Sequence, residues 1–412
     1  MLGVSMEDAY IVEAVRSPVG KFLGSLSGMS ATRLGSAVVT GLLEKAHVDA
    51  SEISEIIAGN VLSAGLGQNP AKQVIIYSGI PKRIPTLNVN MVCASGLRAI
   101  SLAAQSVKLG DSNVVLAGGM ESMSNSPRIT RGTRDFKKLG DIKLSEFYDY
   151  ISKSQAKDTK MIDEMVFDGL WDCYSDMHMG AIAEKIGKKY NITREEQDSF
   201  ALQSHKRAAK ATDEGLFNDE IVPIKLSEGK YIEKDEGIRK DTDMDKLSSL
   251  KPAFDPNGTV TAGNASQLSD GAAFALVMSG SMVEDLSIKP IAKIESYAEG
   301  GIDPEWYGLS PVDSMKKALK KANLTLDNMG LIEINEAFAV QVLGVVKELN
   351  IDMSRLNVNG GAIALGHPIG ASGARLLSTL VHAMKSKKQD YGIVSLCHGG
   401  GGSATMVLSR ID

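Results

Sequence analysis

The chain repeats itself. Residues 94–98 read Ala-Ser-Gly-Leu-Arg, and residues 371–375 read Ala-Ser-Gly-Ala-Arg. Each run opens an amphipathic helical pattern that leads to an apolar strand-like run, VVLAGG (114–119) in the first copy and GIVSLC (392–397) in the second. Upstream, LLEKAHVDASEISEII (42–57) parallels ALKKANLTLDNMGLIEI (318–334) at nearly the same offset, about 276 residues. Two matches in register predict two similar halves. They differ at one informative position. The residue before the shared Ala-Ser-Gly is Cys93 in the first copy and Gly370 in the second. One half carries a nucleophile where the other carries only a turn glycine.

The halves read as α/β. YIVEAV (10–15), ISEIIAGNVL (53–62), LNVNMV (87–92) and VVLAGG read as strands, and Ala31 to Ala46 has helical spacing. That alternation predicts βαβ units. From 121 to 261 the chain is richer in charge, and EEQDSFALQSHKRAAKAT (195–212) has the spacing of an amphipathic helix. A segment so long with helical periodicity is not a linker. It reads as a loop domain inserted into the first half. The expected units are 1–120 plus 262–285, 121–261, and 286–412. Residues 131–160 read as a solvated excursion within the insert.

With 412 residues there is material for two or three well-buried units. The net charge of −5 offers nothing global to nucleic acid or an anionic membrane. No apolar run approaches a membrane span. The first residues carry acids and lack an apolar h-region, so no signal or transit peptide is expected. The final SRID is no peroxisomal address. Three sparse cysteines, Cys93, Cys173 and Cys397, argue for a reducing, cytoplasmic setting.

Four motifs carry chemistry. Cys93 sits between LNVNMV and a helix beginning ASGLRAI. A helix N-terminus stabilises thiolate, the attacking form in acyl transfer, and its N–H groups can bind an oxyanion. An inert core cysteine is the plain alternative. GGAIALGHPIGASG (360–373) sets His367 in a turn stiffened by Pro368. It is neither a P-loop nor a dinucleotide fingerprint. The imidazole could take a proton from a thiol, or merely satisfy loop carbonyls. SLCHGGGGSATMV (395–407) joins two apolar runs through glycines that let backbone N–H groups approach a ligand, with Cys397 just before them. INEAFAVQVL (334–343) places Asn335 at a strand-to-helix turn, to orient a water or carbonyl, or as an ordinary N-cap. Together these suit thioester chemistry at the ends of strands in an α/β sheet.

Over essentially its whole length the sequence resembles the thiolase family. The matching motifs are NMVCASGLRAI, GGMESMS (118–124), HMG (178–180), AGNASQLSDGAA (262–273), NEAFA (335–339), GHPIGASG (366–373) and CHGGGG (397–402). The resemblance implies the thiolase fold: two αβαβα halves forming a five-layer core, with the inserted loop domain. It implies that Cys93 takes an acyl group from acyl-CoA. His367 activates Cys93 and, with a water held by Asn335, forms one oxyanion hole. The N–H groups of Cys93 and Gly399 form the second. Cys397 removes or returns the α-proton. Leu170, Arg239, Ala262 and Ser266 match contacts for the nucleotide and pantetheine of coenzyme A, and Ala337 and Phe338 match pantetheine contacts. His178 and Met179 resemble the acetoacetyl-CoA thiolases, where Met restricts the acyl pocket and His meets the thioester; Met179 also suits core packing. No metal and no permanently bound cofactor is implied, because coenzyme A is itself substrate and product.

The expected reaction is reversible condensation of two acetyl-CoA to acetoacetyl-CoA and CoA, in a homotetramer built as a dimer of dimers. A degradative 3-oxoacyl-CoA thiolase of broader chain length is the alternative. A β-ketoacyl synthase lacks the second cysteine, and a non-catalytic acyl-CoA scaffold tends to lose the nucleophile or base. Two features depart from the family pattern. His398 stands inside the Cys-x-Gly motif, where many relatives carry an apolar residue, and the stretch from Arg134 to Lys157 is longer than the usual loop.

Overall fold

The computed structural model describes residues 7–130, 161–227 and 229–411. The extended stretch from Arg134 to Lys157 lies outside them. One ten-stranded sheet path runs Leu331–Ile334, Tyr391–His398, Gly402–Arg410, Ala292–Gly301, Ala9–Arg16, Ser269–Ser279, Val114–Ser122, Glu55–Gly59 and Thr86–Val89, with Gly20–Lys21 pairing beside Ser269–Ser279. It is two half-sheets joined at a short seam. Across the seam Tyr10 faces Lys293 and Ile11 faces Ala292. Each half has parallel βαβ pairs at its outer edge and antiparallel strands toward the seam.

The helices make the layers. Ala31–Ala46 and Pro70–Ser78 cover the outer face of the first half-sheet through Leu34, Val38, Leu42, Val74 and Ile75. Pro311–Ala322 and Ala339–Leu349 cover the outer face of the second through Met315, Ala318, Val342 and Val345. Between the half-sheets lie the two repeat helices, Ser95–Leu109 and Ser372–Lys387, which bury Leu97, Ile100, Leu376 and Leu380 in one shared core. The expected five layers follow.

The repeated Ala-Ser-Gly has a packing reason. A Cβ on Gly373 would lie 2.5 Å from the backbone nitrogen of Leu97, and one on Gly96 would lie 2.9 Å from the carbonyl of Gly370. The glycine of each copy thus lets its helix start against the other's. Gly373→Ala is expected to destabilise the protein by about 2–3 kcal/mol, the usual cost of overpacking a tight core. Urea unfolding checks this, and an unchanged midpoint and slope would refute the packing reason.

Two predicted strands end earlier than their apolar runs. LNVNMV was expected to be extended to residue 92, but the strand stops at Val89. Val92 has a left-handed φ of 48°, which ends the extended chain. ISEIIAGNVL gives only Glu55–Gly59, because the N–H groups of Val61 and Leu62 turn to the Glu121 carboxylate rather than to a neighbouring strand. The helices expected at 31–46 and 195–212 are present as Ala31–Ala46 and Arg194–Asp213. The latter is opened by a capping box between Thr193 and Glu196.

Candidate active site

Cys93 sits on a strained turn. Val92 is β-branched and left-handed, a conformation that costs about 1–3 kcal/mol and persists only where the surroundings enforce it. Ser95 enforces it: its hydroxyl accepts from the Met91 N–H at 2.9 Å and donates to the Val92 carbonyl at 2.6 Å. The helix Ser95–Leu109 starts two residues on, without a side-chain cap. The residue is partly exposed, but protein crowds its sulfur, toward which the N–H groups of Cys93 itself and Gly399 point.

The helix-end argument alone predicts a stabilised thiolate. The structure corrects it. Burial pushes the Cys93 thiol up to about 12, while the two N–H groups pull the other way and the Glu121 carboxyl adds to the rise. Desolvation outweighs the local donors. The resting group is a neutral thiol that needs a base.

His367 is the expected base, and its own hydrogen bonds fix its tautomer. It follows Gly366, whose φ is +112°, and its N–H donates to the Gln267 carbonyl at 3.0 Å. Ser372 donates its hydroxyl proton to the Pro368 carbonyl at 2.7 Å, so at 2.5 Å it accepts from His367 Nδ1–H. The proton is therefore on Nδ1, and Nε2 keeps its lone pair. Asn335 Nδ2 lies 3.3 Å from Nε2. Burial, with the Arg375 charge second, pushes His367 down to about 3, so the ring is neutral at ordinary pH.

Asn335 follows Leu331–Ile334, and its N–H donates to the Ser395 carbonyl at 3.0 Å. It is not an N-cap, since the next helix begins only at Ala339 with Phe338 before it. Cys397 is buried in an apolar wall with Met179, Ala265, Ala337 and Phe338. Burial raises its thiol above the ordinary value, and the proximity of Cys93 adds to this. The two sulfurs therefore share one site. Ile369, two residues along the loop from His367, packs in the cluster around Cys93.

A cavity of about 560 Å³ opens beside this centre, lined in part by Val61, Val92, Trp171, Tyr174, Met179 and Gly399. Met179 reaches Gly399: its methyl lies 3.9 Å from where a Cβ on that glycine would be. His178 has a structural role. Its Nδ1 accepts from the Gly180 N–H at 3.1 Å, capping the helix Met179–Tyr190, and its ring stacks on Phe254 at 4.6 Å. Phe254 in turn meets Phe338 edge-on at 6.1 Å. Leu170 packs against the cluster around Cys93. Ser266 donates its N–H to the Ala337 carbonyl at 3.0 Å, which joins two of the expected pantetheine positions. Arg239 and Ala262 are exposed and do not line the cavity.

Sequence reasoning missed three groups. Ser372, which fixes the His367 tautomer, lies inside the repeat and reads as a helix start. Tyr307 is buried within electrostatic reach of both Cys397 and Cys93, and its hydroxyl donates to the Met179 carbonyl at 3.1 Å. No motif marks it. Glu121, in the quoted GGMESMS run, is fully buried and accepts from Asn60 Nδ2 at 2.7 Å, Val61 N at 3.1 Å, Leu62 N at 3.2 Å and Gly370 N at 2.9 Å. It ties the first half to the loop that carries His367. Burial lifts its carboxyl to about 7.

Known proteins show the family. The thiolase N-terminal domain family matches residues 9–281, and the thiolase C-terminal domain family matches residues 288–410. The chain belongs to the thiolase family. It is an enzyme. It is 46% identical over 409 residues to the acetyl-CoA acetyltransferase of Cupriavidus necator, covering 98% of this chain and 100% of that one. It is 44% identical over 411 residues to a probable acetyl-CoA acyltransferase of Staphylococcus epidermidis, covering 99% and 100%. Among solved structures, the acetyl-CoA acetyltransferase of Bacillus anthracis superposes with a TM-score of 0.91 at 37% identity, covering 99% of this chain and 100% of that one. A thiolase from Ascaris suum in complex with coenzyme A gives 0.88 at 40% identity, covering 98% and 100%. The thiolase fold that the family resemblance implies is thereby shown. Among the described residues no group of three or more His, Cys, Asp and Glu is placed to hold a metal ion, and no helix is long and apolar enough to cross a membrane.

Proposed function

We propose that this thiolase is an acetyl-CoA C-acetyltransferase, condensing two acetyl-CoA to acetoacetyl-CoA and CoA, reversibly, through an acetyl-Cys93 intermediate. The observation that carries the reading is that two buried sulfurs, Cys93 and Cys397, lie close enough to interact, while the neutral His367–Asn335 pair sits on the loop whose Ile369 packs beside Cys93. In the first half-reaction Cys93 attacks the thioester as its proton passes to His367 Nε2. A neutral thiol near 12 does not ionise at rest toward an imidazole near 3. Transfer therefore accompanies attack, as the Cys93 and Gly399 N–H groups take up charge on the forming oxyanion. The departing CoA sulfur takes the proton of Cys397. That leaves acetyl-Cys93, an imidazolium and a Cys397 thiolate.

In the second half-reaction the Cys397 thiolate takes an α-proton from a second acetyl-CoA. Its raised pKa makes it a strong base once ionised. The enolate oxygen is held by His367 and a water on Asn335, and the carbanion carbon attacks the acetyl group. Cys93 leaves and recovers its proton from His367. Run backward, the same steps are thiolysis. Coenzyme A lies along the 121–261 insert, with Leu170, Arg239, Ala262, Ser266, Ala337 and Phe338 as contacts. The cytoplasm suits an enzyme whose three cysteines are all free, and a homotetramer is the assembly the family resemblance supports.

Broader chain length is the second reading. Met179 against Gly399 favours the short one, because it narrows the space beside the reacting carbon. The test is thiolysis across 3-oxoacyl-CoA chain lengths. A sharp preference for the four-carbon substrate is expected, and equal or better rates on longer chains would transfer the assignment to a degradative thiolase.

A further inference from the structure

The loop that carries Gly399 has no side chains to hold it. Strand Tyr391–His398 turns into strand Gly402–Arg410 through three glycines, of which Gly400 and Gly401 have φ of +84° and +83°. A glycine loop has the greatest backbone freedom, yet an oxyanion donor must be fixed before the charge forms. One side chain meets this need. His398 Nδ1 lies 2.7 Å from the Gly399 carbonyl. A carbonyl only accepts, so the ring carries its proton on Nδ1. The hydrogen bond closes a small ring of atoms that includes the 398–399 peptide, and so fixes the bonds on both sides of the Gly399 N–H.

The opposite strand is shaped to receive the imidazole. His398 and Gly402 face each other across the ladder. A Cβ on Gly402 would lie 2.1 Å from His398 Nε2. Any other residue at 402 would push the ring off its hydrogen bond. The His398 and Gly402 positions of CHGGGG therefore work as one unit.

We propose that His398 is a positioning residue that aims the Gly399 N–H at the oxyanion formed on Cys93. This rests on the assignment of Gly399 as an oxyanion donor made above. The role needs a donor at the Nδ1 position and not a ring. Asn places its Nδ2 at the same number of bonds from the backbone, so His398→Asn keeps the bond and loses the ring. Phe keeps a ring over Gly402 and loses the donor.

The experiment is the rate of Cys93 acetylation by acetyl-CoA, read by rapid quench and mass spectrometry, for wild type and both variants. His398→Asn is expected within about threefold of wild type, and His398→Phe about tenfold or more slower at saturating acetyl-CoA, a fraction of the 10²–10³ cost of losing an oxyanion donor outright. A space-filling role predicts the reverse order. The proposal is overturned if Phe matches wild type, if Asn is as slow as Phe, or if the loss is confined to KM. If neither variant folds, ¹⁵N NMR of the wild-type imidazole decides: the Nδ1–H tautomer is expected, and Nε2–H overturns the proposal. Wild-type protein that forms no adduct on Cys93 would sink the active-site reading itself. A normal wild-type adduct with indifferent variants would sink only the role of His398.

Discussion

Cys93→Ala removes turnover: thiolysis of acetoacetyl-CoA is expected to fall by at least about 10⁴-fold, the scale seen when a nucleophile is deleted from a unit that acts together. The acetyl adduct should vanish with it. The thermal midpoint should move little, because the sulfur is lost from a cluster already closed by Val61, Leu62, Met123, Met165 and Ile369. The measurement follows loss of enolate absorbance with acetoacetyl-CoA and free CoA, beside intact-mass analysis after acetyl-CoA alone. A folded alanine variant that still turns over within a few-fold of wild type would remove Cys93 from the chemistry.

Cys397→Ala should separate the two half-reactions. Overall condensation and thiolysis are expected to drop by about 10³-fold, within the range lost with a general acid–base group. The acetyl adduct on Cys93 should still form, because a CoA thiolate can depart toward solvent without help. Cys397 is 1% exposed in an apolar wall with Phe338 and Tyr307, so alanine costs some stability as well; a melting curve run alongside keeps the two effects apart. Near-normal turnover would refute the second-acid role. A folded variant unable to acetylate Cys93 would show instead that the proton Cys397 gives the departing CoA sulfur is indispensable to the first step.

Much of this was legible in the chain. The two copies of Ala-Ser-Gly foretold two similar halves, and the glycine in each is the point where one helix start meets the other. Strand and helix periodicity placed Ala31–Ala46 and Arg194–Asp213. It overran at 60–62 and 90–92, where apolar residues turn away from the sheet to serve Glu121 and the Cys93 turn. Periodicity reports which faces are buried, not where a backbone N–H finds its partner.

The sequence by itself determined the repeat, the α/β class, and which residues have the chemistry to act, since these follow from local pattern and side-chain type. Tertiary structure alone decided their state. It made Cys93 a neutral thiol despite its helix end, because burial depends on atoms brought in from the other half of the chain. It chose the His367 tautomer through Ser372 and brought Tyr307 within electrostatic reach of both cysteines. It also turned His398 from a departure in a motif into a clasp on Gly399. Desolvation and hydrogen-bond direction are properties of a three-dimensional neighbourhood, and no spacing along the chain encodes them.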